Sequence, residues 1–189
     1  MRDAEKTEKI EKMLDVIRDE ILPLTECEVK RGNHVFGGAI LRPDTLTSVM
    51  VGSNNRVENP LFHGEIDTLV RFYKLPVRPN PNELIFLATH EPCPMCAAAI
   101  AWAGFREVWV LFGTKEMIED FDMPVDIAMY NELFRTDGVE PDNIFFKKYS
   151  IVEAIEELGT DKFDETIGEI RKRYAAIDVS DFEYPGTIV

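Results

Sequence analysis

The chain has 189 residues, 45% of them hydrophobic, enough for one domain with a packed core. Its 35 Asp and Glu against 21 Lys and Arg give a formal charge of −14 at pH 7, which argues against a nucleic-acid partner, because gripping a polyphosphate backbone needs a basic stripe. No apolar run is long enough to span a bilayer, and the opening Met1-Arg2-Asp3-Ala4-Glu5-Lys6 does not read as a secretory signal, so no membrane partner is expected.

Apolar positions at Ile10, Met13, Leu14, Ile17 and Ile21 predict an amphipathic helix over residues 4–21, stopped by Pro23. The runs Val35–Leu41 and Leu46–Gly52 predict a hairpin with Arg42-Pro43-Asp44 in its turn. Ile66, Leu69, Val70 and Tyr73 recur at helical spacing behind His63, and Pro76 lies just past their end. Glu83–Thr89 reads as a buried strand, followed by an alanine-rich helix from Pro94 that Gly104 ends. A strand at Glu107–Phe112, a helix around 124–135 and a strand near Ile144-Phe145-Phe146 continue the alternation. Ser150-x-x-Glu153 is a capping box that opens a C-terminal helical region, interrupted at Gly159-Thr160. Repeats and linkers are absent, so one domain over 1–189 is expected, with a helical extension from about residue 150. A sheet covered by helices on both faces is the natural packing. The basic cluster Arg171-Lys172-Arg173 and the pair Lys147-Lys148 read as solvated faces.

Two short stretches carry chemistry: His63-Gly64-Glu65 and Pro92-Cys93-Pro94-Met95-Cys96. Cys93 and Cys96 are three apart, so a helix starting near Pro94 turns both sulfurs the same way, toward one tetrahedral metal. A helix N-terminus also favours the thiolate, the form that binds metal. His63 opens the preceding helix and Glu65 sits in its first turn, so two helix starts converge on one ion. One imidazole and two thiolates leave a fourth position for water, and Glu65 is placed to move its proton. Two readings compete: a thioredoxin-type redox pair, and a structural zinc site completed by Cys27, His34 or His90. The joint occurrence of both motifs, at strand-to-helix turns, favours catalytic zinc (Zn2+). Cys27 is then a buried bystander, and the need for two thiolates points to a reducing cytoplasm.

The paired motifs match the H-x-E … P-C-x-x-C signature of zinc-dependent nucleobase deaminases. From roughly residue 5 to residue 135 the chain resembles the cytidine deaminase-like superfamily. Its nearest branch holds guanine deaminase, fungal-type cytosine deaminase and the tRNA adenosine deaminases. Phe36-Gly37-Gly38-Ala39-Ile40 is similar to the family's first strand, and Gly52-Ser53-Asn54-Asn55-Arg56 to its G-x-N-R segment. His63-Gly64-Glu65-Ile66-Asp67-Thr68-Leu69 resembles the H-G-E-I-x-T-L of fungal-type cytosine deaminase. The stretches Phe112-Gly113 to Phe121-Asp122 and Asp126 to Tyr130-Asn131-Glu132 resemble guanine deaminase instead.

The resemblance implies an α/β fold, a three-layer α/β/α sandwich around a mixed five-stranded sheet. It implies that His63, Cys93 and Cys96 ligate zinc and that Glu65 shuttles protons. The base-binding asparagine falls on Asn54 or Asn55, with Asn54 in the G-x-N register; a turn role is the rival for both. Phe36 would stack on the base or simply pack in the core. The backbone N–H groups of Glu91 and Cys93 would bind a ring carbonyl, while His90 is read as structural or as a support behind the metal ligands, with direct catalysis as the rival. Asp126 or Asp122 would read a purine, with a helix N-cap after Pro124 as the competing role. The tail Asp181–Gly186 would close over the pocket or stay a loose or interface-bound end. The implied substrate is a small aminated base, guanine or a related aminopurine ahead of cytosine. A cytidine- or deoxycytidylate-type nucleoside and tRNA adenosine are the alternatives. A homodimer is the implied assembly, with Ile100 and Trp102 fitting core or interface equally.

Overall fold

Apolar residues fill both faces of the central strands, and the computed structural model, which describes residues 3–121 and 125–177, shows what covers them. Strands β1 (Gly37–Leu41), β2 (Ser48–Ser53), β3 (Ile85–His90), β4 (Glu107–Phe112) and β5 (Lys147–Ser150) form one sheet in the order β2-β1-β3-β4-β5. β1 runs antiparallel to β2 and β3, whereas β3–β4 and β4–β5 are parallel. The helices are α1 (Asp3–Val16), α2 (Leu22–Val29), α3 (Gly64–Tyr73), α4 (Pro94–Ala103), α5 (Thr114–Phe121), α6 (Val125–Met129), α7 (Ile151–Leu158) and α8 (Asp164–Ala175). Because side chains alternate along a strand, Ala39, Leu41, Leu87, Trp109 and Leu111 meet α1, α7 and α8, while Ile40, Phe86, Ala88, Val108 and Val110 meet α3 and α4. The expected three-layer sandwich with a mixed five-stranded sheet is the observed one. Among the described residues, no helix is long and apolar enough to cross a membrane.

Four local expectations need correction. Pro23 does not stop the first helix. The chain widens into a π-helical stretch, Ile17–Ile21, and continues as α2 with Pro23 in its first turn. Proline has no N–H to donate and its ring crowds the carbonyl four residues back. The wider turn, in which the Leu22 N–H donates to Ile17 O, absorbs that defect. The fifth strand begins at Lys147 rather than Ile144. Asn143 Oδ1 accepts the N–H groups of Phe145 (2.9 Å) and Phe146 (3.1 Å), which diverts 143–146 from the ladder. Cys27 is exposed, because Thr25 and Glu28 occupy the inward face of α2. Arg171, Arg173 and Lys148 are not solvated faces either, Lys148 being mostly buried in an ion pair with Glu91. Arg173 donates to Glu26 (2.9 Å) and to the Arg18 carbonyl (2.8 Å), and Arg171 lies over the Phe112 ring and reaches Glu116, so both fasten α8.

Helix α5 has no counterpart in the sequence reading. The Ser150 cap does: its hydroxyl accepts the Glu153 N–H at 3.2 Å, and Gly159 closes α7 with φ +61°. Ile100 is buried, whereas Trp102 is 92% exposed on α4, beside a groove of about 460 Å³ lined in part by Val139, Phe145 and Phe146.

The docking of α3 positions the site. A Cβ on Gly52 would stand 2.7 Å from the Thr68 backbone nitrogen, so only glycine lets this helix lie so close to the sheet. The Thr68 hydroxyl lies 2.7 Å from Gly64 O and 3.2 Å from Gly38 O, at the same close contact.

Candidate metal centre

His63 is the extended residue that precedes α3, and Cys93 holds the same place before α4. Cys96 lies in the first turn of α4, which Pro94 begins and Gly104, at φ +88°, ends. The two helix starts thus meet as the spacing requires. Ligand atoms of His63, Cys93 and Cys96 lie within 4.8 Å of one another, and Cys93 Sγ is 3.6 Å from His63 Nδ1. A tetrahedral zinc with Zn–S of about 2.3 Å and Zn–N of about 2.05 Å demands an S···N edge of about 3.6 Å. The donor set fits the ion. All three cysteines are free thiols, and among the described residues no fourth His, Cys, Asp or Glu joins this cluster, so the four-ligand structural site is not formed by Cys27, His34 or His90.

The electrostatics of the site are those of a cation cradle. A hydrogen bond from Cys96 brings the Cys93 thiol down to about 4, against burial and with help from His63. Burial pushes the Cys96 thiol up, and Cys93 and Glu65 push it further. For His63 burial opposes the proton, but the bond to Cys93 and the charges of Cys93, Glu65 and Asp126 raise it to about 9. Burial, then the Cys93 charge, lifts Glu65 to about 7 and Asp126 to about 6. Acidic groups crowd around a single imidazole, and a divalent ion there would reverse their mutual repulsion.

Asn54 follows β2 and is buried; its N–H donates to Phe36 O, and its Oδ1 accepts from the N–H groups of His34 (3.1 Å) and Arg56 (3.2 Å). Its Nδ2 has no partner among the described residues. Asn55 turns outward to Glu58 at 2.7 Å. Phe36 is half-buried and rests against the His90 ring, with centroids 4.2 Å apart. His90 is buried among Phe36, Phe112 and Tyr174. The Glu91 expectation is corrected: its N–H donates to Phe112 O at 2.9 Å, extending the β3–β4 ladder, and its side chain pairs with Lys148. Asp126 lies inside α6 rather than capping it, and it feels the charges of Cys93 and His63. Asp122 and the tail Asp181–Gly186 lie outside the described residues. One neighbour escaped the sequence reading as a site residue: Tyr130, whose buried hydroxyl donates to Pro92 O at 2.8 Å. Its spacing of four from Asp126 on a helix was the available signal.

A mixed-sheet sandwich with a His-Cys-Cys cluster at two helix starts defines a cytidine deaminase-like protein. The MafB19-like deaminase family matches residues 7–150, and the chain belongs to that family. It is 34% identical over 80 residues to a tRNA-specific adenosine deaminase of Rickettsia felis, a stretch covering 41% of this chain and 56% of that protein. The chain therefore spans little more than half the length of this curated relative. A guanine deaminase of Bacillus subtilis shares the fold with a TM-score of 0.54 at 22% identity, over 77% of this chain and 90% of that one. A guanine deaminase of Nitrosomonas europaea does so with a TM-score of 0.52 at 16% identity, over 82% and 81%.

Proposed function

We propose that the chain is a zinc-dependent hydrolytic deaminase of a small aminated nucleobase, working as a single domain. The observation that carries this reading is the convergence of His63, Cys93 and Cys96 beside the buried Glu65. These three residues would hold zinc, which supplies a polarised, acidified water when bound. Glu65, held near neutral pKa by burial, is suited to take a proton from water and return it. It delivers the first proton to the ring nitrogen beside the aminated carbon and the second to the departing amine. One water is consumed, ammonia leaves, and the base becomes a keto base. Asn54 holds the base through its Nδ2, and Phe36 offers it an aromatic wall.

Guanine or a related aminopurine is the favoured substrate, because Asp126 places a second acid of raised pKa beside the cluster, suited to a purine's extra polar edge. Cytosine follows, on the resemblance of the Gly64 segment. Ammonia release from a panel of guanine, isoguanine, adenine, cytosine and their nucleosides tests the choice. Glu65→Ala is expected to retain zinc and lose activity by about 10²–10⁴-fold; an Ala variant of normal rate would refute the proton shuttle. The likeness to a tRNA-specific adenosine deaminase favours a second reading, on tRNA. The charge of −14 opposes it, and retention on tRNA at physiological salt would decide for it. The proposed enzyme is cytoplasmic, since its thiols must stay reduced, and homodimeric, with exposed Trp102 as supporting observation. Light scattering of a purified sample tests the dimer.

A further inference from the structure

Cys93 stands between two prolines, so neither Pro92 nor Pro94 has an N–H with which to fasten the turn that carries this ligand. Beyond the Glu91 N–H, which donates to Phe112 O, the turn is held through acceptors, Cys93 O taking the Ala97 N–H at 2.9 Å. The Pro92 carbonyl accepts from the Tyr130 hydroxyl at 2.8 Å, across 38 residues of chain, and Tyr130 is 6% exposed. Tyr130 begins a π-helical stretch, Tyr130–Phe134, directly after α6. Such widened turns re-aim side chains and gather at functional sites. The Asn131 side chain satisfies Ile127 O at 3.1 Å, which stabilises the widened turn. One helical turn before Tyr130, Asp126 feels the charges of Cys93 and His63.

We infer that Tyr130 is a positioning residue: its hydroxyl latches the Asp126-bearing helix onto the Pro92-Cys93 turn, holding the ligand sulfur and the substrate-facing acid in one frame. The inference rests on the zinc deaminase reading above. With its hydroxyl committed to Pro92 O, Tyr130 acts through Cys93 and Asp126.

Tyr130→Phe removes one oxygen and keeps the ring. In the full-length zinc-loaded protein, a chromogenic chelator is expected to withdraw zinc about tenfold faster from this variant than from wild type. The cobalt-substituted variant should show a shifted visible band, which mere loss of global stability would not produce. A double-mutant cycle with Asp126→Asn should give non-additive effects on kcat/KM. Equal zinc release and identical cobalt spectra, with wild type loaded, would overturn the latch. Additive effects would overturn its coupling to Asp126. A wild type that takes up no zinc would instead overturn the parent reading, so the two failures are distinguishable.

Discussion

The backbone of Phe36 fills the space that a side chain on Gly64 would need: a Cβ there would stand 2.4 Å from the Phe36 carbonyl oxygen and 2.6 Å from Gly37 Cα. His63 and Glu65 flank this contact, so the proposed ligand and the proposed proton carrier are both set by backbone lying against backbone. Gly64→Ala must displace the start of α3. The expected cost is about 1–3 kcal/mol by urea unfolding, with zinc content well below one per chain. Full stability with full zinc in this variant would mean that the contact does not set the site.

Glu91 and Lys148 pair with side chains only 7% and 16% exposed, tying β5 to the turn before Cys93. Lys148→Met strands the carboxylate in the interior, and a loss of about 3–5 kcal/mol is expected. Changing both partners to apolar residues should recover much of it. Urea midpoints of the single and double variants measure the difference; equal losses would show that the stranded charge is not the cause.

Acid should weaken the fold through His90. Burial first, and Arg171 second, hold its folded pKa at about 3 against 6.5 for the free side chain. Between those values the unfolded chain binds more protons, so stability falls as pH drops below 6.5, by up to about 1.4 kcal/mol per pH unit for this one group. Below 3 the dependence ends. His90→Gln should flatten the slope of urea midpoint against pH in that window. An unchanged slope would remove His90 from the account.

The two asparagines should separate cleanly. Asn55→Ala deletes a bond to Glu58 at the surface, and kcat/KM should stay within about twofold. Asn54→Ala removes the buried amide that we propose binds the base, and about a ten- to hundredfold loss is expected. Steady-state ammonia release from the two variants is the measurement.

What was legible in the sequence is what local chemistry dictates. The three-residue spacing of Cys93 and Cys96, Pro94 as a helix opener, Gly104 as a stop and Ser150 as a cap each act within one turn of chain, and all reappear in the structure. What stayed hidden depends on partners far away. Pro23 looks like a stop until the π-helical turn before it is seen. Ile144 looks like strand core until Asn143 takes up the next N–H groups, leaving Ile144 87% exposed. Arg171 and Arg173 look solvated until their partners on α5 and α2 are placed beside them. The Glu91 N–H looked open to a ligand because its claimant, Phe112 O, belongs to a neighbouring strand.

Cys27 lies open to solvent while Cys93 and Cys96 are enclosed. A mild sulfhydryl reagent should therefore titrate a single group in the intact protein, and the count should rise toward three as the centre is dismantled. Occupancy of the core chemistry can thus be followed by colour alone, before any substrate is known.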